Sequence, residues 1–238
     1  MISREKENLF KWKHYQPEII LLTVRWYLRY NLSFRNLVEM MEERGLSITH
    51  TTIMRWVHQY GPQLEEKVRH HLKSTNDSWR VDETYIKVKG QWMYLYRAVD
   101  SEGNTIDFYL SKSRDKQAAK RFFKKSLAFS YVSKPRVIAV DKNPAYPVAI
   151  QELKEEKHMP EGIQLRQVKY LNNIVEQDHL FIKRRVCSML GFKSFKTAIS
   201  ILSGVEAMHI MKKGQLGLPD KSVQSQKQFI HKLFGLAS

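Results

Sequence analysis

Three acidic residues, Asp82, Asp141 and Glu176, stand where apolar elements of the 238-residue chain would hold them in place. Asp82 lies in the alternating run RVDETYIKV, Asp141 closes the apolar run RVIAVD, and Glu176 opens the helical run NNIVEQDHLFIKRRVCSML. Ligands of open α/β sheets gather at the carboxyl ends of strands, where Asp141 is expected. Three converging carboxylates repel one another and raise their own pKa values. A divalent cation relieves that repulsion, and Mg²⁺, with Mn²⁺ as a substitute, prefers such hard oxygen ligands. Two ions roughly 3.5–4 Å apart serve in-line phosphoryl displacement.

Each acid also has a simpler reading. Asp82 could pair with Arg80 or Lys89, Asp141 could begin the turn DKNP, and Glu176 could partner Asn173 in a helix start. The combination favours chemistry, because all three fall at corresponding ends of one expected sheet. Glu83 is left out, since neighbouring strand residues point to opposite faces. Lys183 follows Glu176 by seven positions, two helical turns, and shares its face. There it can hold a phosphate, continued by Arg184 and Arg185. His179 reads as a helix-surface residue and Cys187 as a core residue.

The elements that must position these groups begin near residue 75. RVDETYIKV, WMYLYRAVD and TIDFYLSK, separated by KGQ and SEGN, read as an antiparallel meander. A helix, DKQAAKRFFKKSLAF, leads to the buried strand RVIAVD. A helix after Pro144, the strand IQLRQVKY, the helix bearing Glu176 and a helix packed behind the sheet, SFKTAISILSGVEAMHIMKK, follow. The order β-β-β-α-β-α-β-α resembles that of ribonuclease-H-like domains, an α/β class. The expected catalytic domain spans 75–215, and 216–238 form a tail with a short helix ending at Phe234.

Residues 1–70 read as a helical domain. PEIILLTVRWYLRY starts behind a proline, Ser33 caps FRNLVEMMEER, Gly45 stops it, and Thr49 caps HTTIMRWVHQYG. Two short helices joined by a Gly-containing turn suggest a helix-turn-helix, although a plain bundle fits the same pattern. In the former, His50, Thr51, Thr52 and Arg55 face DNA while Ile53, Trp56 and Val57 turn inward.

Forty Lys and Arg residues against 24 Asp and Glu give a net charge of +16, which favours a polyanionic partner. No run approaches the roughly 20 apolar residues of a membrane span. The start MISREKENLFKWKHYQ lacks an apolar signal core, and the single cysteine excludes an internal disulfide. A cytoplasmic, nucleoid-associated protein is expected.

The chain resembles the bacterial DDE transposases of insertion-sequence family six along nearly its whole length. RWYLRYNLSFRNLVEMMEERGLSITHTTIMRWVHQYGP resembles their DNA-binding segment. WRVDETYIKVKGQWMYLYRAVDSEGNTIDFYLS, VDKNPAY and KYLNNIVEQDHLFIKRR resemble the three catalytic blocks around Asp82, Asp141 and Glu176, with Lys183 as the associated base. GFKSFKTAISILSGVEAMHIMKKGQ matches the closing helix. Val140, Asn143 and Leu180 depart from the usual pattern, which more often has Thr, a small residue, and a smaller or basic one. The resemblance implies cutting at element ends, transfer of 3′ hydroxyls into double-stranded target DNA, cointegrate formation, and a homodimer or larger assembly. The alternatives are a non-catalytic DNA-binding regulator and a ribonuclease-H-like nuclease. Without DNA and metal the three acids are expected to be loosely placed.

Overall fold

Pro17 occupies the first turn of α1 (Pro17–Arg29), where its missing N–H costs nothing. Ser33 starts α2 (Phe34–Glu42) with a capping box, its hydroxyl accepting from the Asn36 N–H at 3.1 Å. Gly45, at φ +71°, turns the chain out of α2. Thr49 then accepts from the Thr52 N–H at 3.3 Å ahead of α3 (His50–Arg69). This third helix is longer than the sequence run suggests, for it continues through Gly61 and Pro62. Pro62 removes one donor, but Tyr60, Leu64 and Val68 extend the buried stripe begun by Ile53, Trp56 and Val57. Burial of that stripe outweighs the local break.

The computed structural model describes residues 9–11, 13–168, 173–189 and 191–236. Its sheet starts with β1 (Ser78–Val88), β2 (Gln91–Asp100) and β3 (Thr105–Ser111), an antiparallel meander. Lys89 and Gly90, at φ 50° and 77°, make the two-residue turn whose twist suits the strands on either side. Asp115 caps α4 (Lys116–Leu127), its carboxylate accepting from the Ala118 N–H at 2.8 Å. β4 (Val137–Val140), α5 (Ala145–Glu155), β5 (Gln164–Gln167) and α6 (Asn173–Ser188) follow. Both β4 and β5 run parallel to β1, giving the order β3-β2-β1-β4-β5. This is the ribonuclease-H-like arrangement anticipated from the element order.

The two faces of β1 are differently covered. Trp79 and Val81, with Tyr96 and Ala98 of β2, pack on Phe122 and Phe123 of α4 and Tyr146 and Ala149 of α5. Asp82 and its cross-strand partner Arg97 face the other way, towards α6. β4 pairs with β1 only at Ser78–Arg80. Asp82 and Glu83 therefore stand just beyond the end of β4, where β1 has lost that neighbour.

α7 (Phe195–Lys213) and α8 (Val223–Leu233) complete the chain. Two units emerge, one of Met1–Arg69, Ser200–Gly214 and Leu218–Ser238, the other of His70–Ile199 and Gln215–Gly217. The larger part of α7, expected behind the sheet, thus belongs to the helical unit. Gly204 and Gly61 explain the association, because a side chain on Gly204 would collide with Leu28 and crowd the Gly61 Cα, and one on Gly61 would meet the Ser200 carbonyl oxygen. Residues 201–211 are buried on every side. The stretch 216–238, expected as a tail, carries α8 with Ile230 and Phe234 buried in the same unit. Phe234 packs tilted against Phe10 and edge-on against Tyr60, which gives an apolar residue in a polar segment its place. Among the described residues, no helix is long and apolar enough to cross a membrane.

Candidate active site

Asp82 sits in the middle of the meander's first strand, Asp141 directly after β4, and Glu176 in the first turn of α6. Carboxylate oxygens of Asp82 and Asp141 lie within 4.8 Å of each other and of Glu83, the acid set aside on the alternation argument. Alternation itself holds, since Glu83 faces α5 and accepts a hydrogen bond from the Tyr146 hydroxyl. What alternation misses is the end of β4. Past it, side chains from both faces of β1 can meet around the free edge. The signal lay in the relative strand lengths, which the sequence pattern does not specify.

Glu83 is buried and already occupied. Beside Tyr146 it accepts from Asn143 Nδ2 at 3.2 Å and forms an ion pair with Arg114 Nε. Arg114 turns its other nitrogen, Nη2, to Asp141 Oδ2 at 3.2 Å. A carboxylate holding three donors is a poor metal ligand, so Glu83 acts as the anchor of Arg114. Asp141 also accepts from the Asn143 N–H at 3.0 Å, as the turn reading of this residue expects. Arg80 bonds Ser78 Oγ at 2.9 Å and not Asp82.

Charge accumulates on Asp82. Burial first, then Glu83 and Asp141, push its carboxyl up to about 7, against a backbone hydrogen bond from Glu83 that favours the ionised form. Glu176 adds a further upward push. Glu176 is exposed and is not part of the 4.8 Å group. The residues leading into α6, 169–172, including the KYLN of the third catalytic block, lie outside the described residues.

α6 is fixed by a buried ion pair that the sequence reading did not find. Arg97 Nη1 meets Asp178 Oδ2 at 2.7 Å, with side-chain exposures of 0% and 7%. His179, expected on the helix surface, is buried with Nδ1 3.9 Å from Asp82 Oδ2. Burial, followed by the positive Arg97, pulls its pKa down to about 3, with Asp178 opposing and Lys183 assisting. It is therefore a neutral imidazole at physiological pH. Lys183 and Arg184 are exposed on α6. Arg185, expected to continue that basic face, is buried and donates to Ser188 Oγ at 2.7 Å. Cys187, expected in the core, is exposed. The helical period accounts for both corrections, since Arg185 shares the inward stripe of Ile182 and Val186.

Residues 76–215 match a family model described as a DDE domain. The chain is 38% identical over 212 residues to the transposase for insertion sequence-like element IS431mec of Staphylococcus aureus, covering 87% of this chain and 89% of that protein. The chain belongs to the bacterial DDE transposases of insertion-sequence family six. It is thus an enzyme of the polynucleotidyl transferase type. The same identity and coverage relate it to the Staphylococcus aureus transposase for insertion sequence element IS257 in transposon Tn4003. Among solved structures, the catalytic core domain of HTLV-2 integrase in complex with magnesium (trimeric form) is similar at a TM-score of 0.44 and 17% identity, over 66% of this chain and 97% of that one.

In the helical unit, His50, Thr51 and Arg55 of this transposase are exposed and Thr52 is half-buried. All four lie in the first two turns of α3, while Ile53, Trp56 and Val57 are buried as their spacing requires.

Proposed function

We propose that Asp82, Asp141 and Glu176 form the metal-binding triad with which this transposase cuts the ends of its element and joins the exposed 3′ hydroxyls to target DNA, fusing donor and target into a cointegrate. The observation that carries this reading is the meeting of Asp82 and Asp141 within 4.8 Å, with Asp82 pushed up to about 7. Burial and neighbouring negative charge together raise it, a cost that folding retains where a cation is to be held. The donor set is all carboxylate oxygen, and the side chains of Asp82 and Asp141 are 17% and 34% exposed, within reach of solvent ions. These residues fit Mg²⁺, with Mn²⁺ as a substitute. Two bound ions would supply charge neutralisation for the attacking and leaving oxygens of an in-line displacement.

The remaining work belongs to the chain itself. Asp82 and Asp141 hold the cation site from the sheet, and Glu176 completes it from α6. Neutral His179 keeps a second positive charge away from Asp82. Lys183 and Arg184 take phosphates of the bound strand. In the helical unit, α2 and α3 serve as a helix-turn-helix, with His50, Thr51, Thr52 and Arg55 on the DNA at the element's terminal repeats. Two ends must be held together, so the working form is a homodimer or a larger assembly acting on double-stranded DNA at the nucleoid.

The test is donor–target fusion in cells, scored for the wild type, Glu176→Gln and Asp82→Asn, with the gene's own flanking DNA as element ends. Fusion is expected from the wild type alone, with all three proteins binding the ends. Undiminished fusion by Glu176→Gln would remove it from the triad. End binding without fusion by the wild type would favour a DNA-binding regulator. Cutting without joining would favour a nuclease.

A further inference from the structure

A cavity of about 430 Å³ is lined among others by Tyr85 and Lys87 of β1, Trp92 of β2, and Lys183, Val186 and Cys187 of α6. Its chemistry is unusual for the surface of so basic a protein. Trp92 is 63% exposed and Tyr85 47%, although both are large aromatic side chains. Lys87 Nζ lies 5.8 Å from the centre of the Trp92 ring, and the Tyr85 ring lies 5.2 Å from that of Tyr94. Exposed aromatics gathered in a concave site mark a binding surface. Aromatic faces interleaved with lysines, with no acidic group in the lining among the described residues, select a flat, apolar group attached to an anion.

Position narrows the ligand further. Tyr85 follows Asp82 by three residues of extended strand, about 10 Å at 3.3 Å per residue. Lys183 follows Glu176 by seven residues of helix, about 10 Å at 1.5 Å per residue. Two independent elements thus place the cavity the same distance from the acids, about three stacked nucleotides at roughly 3.4 Å each. A cavity of this volume admits one base and excludes a duplex.

We propose that this cavity receives a nucleobase of an unpaired DNA nucleotide, stacked on Trp92, with Lys87 and Lys183 on the adjoining phosphates. Single-strand binding of this kind combines aromatic platforms with a positive groove and tolerates any base. The proposal rests on the transposase reading for the DNA presented, an element end opened beside the cut.

Binding of the full chain to fluorescein-labelled duplexes from the flanking DNA tests it, measured by anisotropy in chelator. One duplex carries a three-nucleotide unpaired overhang, the other the same overhang with abasic sites. The wild type is expected to prefer the intact overhang by about tenfold, the scale of one stacked base. Trp92→Ala should lose that preference and Trp92→Phe should keep most of it; the exposure of Trp92 makes misfolding an unsuitable explanation for either. A second readout is the single cysteine, since Cys187 lines the cavity. The intact overhang should slow its alkylation and the abasic one should not. Equal affinities in the wild type, or a preference that survives Trp92→Ala, would overturn the proposal and leave the cavity to a protein partner. Parallel measurement of Mg²⁺-dependent nicking separates the two readings. Nicking without base preference refutes the cavity alone, whereas base preference without nicking supports the cavity and refutes the triad.

Discussion

Replacing Asp178 with Ala removes one half of the ion pair that seats α6, and its cost follows from burial. Arg97 is fully buried and meets Asp178 at 2.7 Å across the face that carries Asp82. Removing one partner of a buried pair leaves an uncompensated charge, which costs about 3–5 kcal/mol. That is a large share of the roughly 5–15 kcal/mol that stabilises a typical domain. With a urea m-value of about 2 kcal/mol/M, the midpoint of the unit containing the sheet should fall by about 1.5–2.5 M. The assay is urea unfolding followed by near-ultraviolet circular dichroism, because Trp79 and Tyr96 are buried in that unit. A second variant separates lost charge from lost packing. Arg97→Met with Asp178→Leu removes both charges, and should recover most of the stability. An Asp178→Ala midpoint within 0.5 M of wild type, roughly 1 kcal/mol on that m-value, would refute the reasoning, as would a double variant no better than the single one. Fusion activity should fall with Asp178→Ala, because the helix carrying Glu176 is no longer held.

Three further outcomes are expected. His179 has its pKa lowered from 6.5 to about 3, so the folded state binds the proton less well than the unfolded one; its contribution is present above about 6.5 and is lost as pH falls towards 3. At about 1.4 kcal/mol per unit, roughly 2 kcal/mol should go between pH 7 and pH 5, and His179→Leu should flatten that limb in urea titrations at several pH values. Glu83→Gln should lower the midpoint of Asp82 below about 7, since Glu83 is the strongest charged neighbour raising it, which carboxyl carbon NMR of the metal-free protein reads directly. In the helical unit, Gly204→Ala would put a methyl 2.6 Å from Leu28 Cδ1, and overpacking of this kind should cost about 1–3 kcal/mol in thermal unfolding.

Much of the fold is legible in the sequence because local signals and burial agree. The Lys89–Gly90 turn, the Ser33 cap, the apolar run of β4 and the alternation of β1 each specify their element without help from elsewhere. Disagreement arises where tertiary contact decides. Gly61–Pro62 resembles a helix stop, yet α3 continues because its buried stripe does. α7 is apolar on all sides, so periodicity gives it no preferred neighbour, and the close approach of Gly204 to Gly61 assigns much of it to the helical unit. The short helix expected before Phe234 is present as α8, but the polar residues from 214 onward conceal its seat, which depends on a few apolar side chains such as Ile230. At the site, strand position brings out Asp82 and Asp141. It does not bring out Arg97, Arg114 or Tyr146, whose roles come from partners 81, 31 and 63 positions away.

Those partners also explain how the acids can stand together at all. Two carboxylates within 4.8 Å in a half-buried site would spread apart or bind protons unless something opposed their charge. Arg114 does so on one side, bridging Glu83 and Asp141 while leaving Asp82 without a direct cation. The raised pKa of Asp82 follows first from its burial and then from Glu83 and Asp141, with no direct cation to offset them. Glu83 is the reason the arrangement holds, because Tyr146 and Asn143 fix its carboxylate and thereby fix the guanidinium. On the proposed reading Asp82 and Asp141 would hold a divalent ion, and the Arg114 contact to Asp141 at 3.2 Å is a weak hold beside direct coordination. The sheet in this way supplies two acids already close, Asp141 alone of the two being paired with a replaceable cation. On the proposed reading Glu176, exposed on a helix seated by Arg97 and Asp178, is the acid that remains to be drawn in.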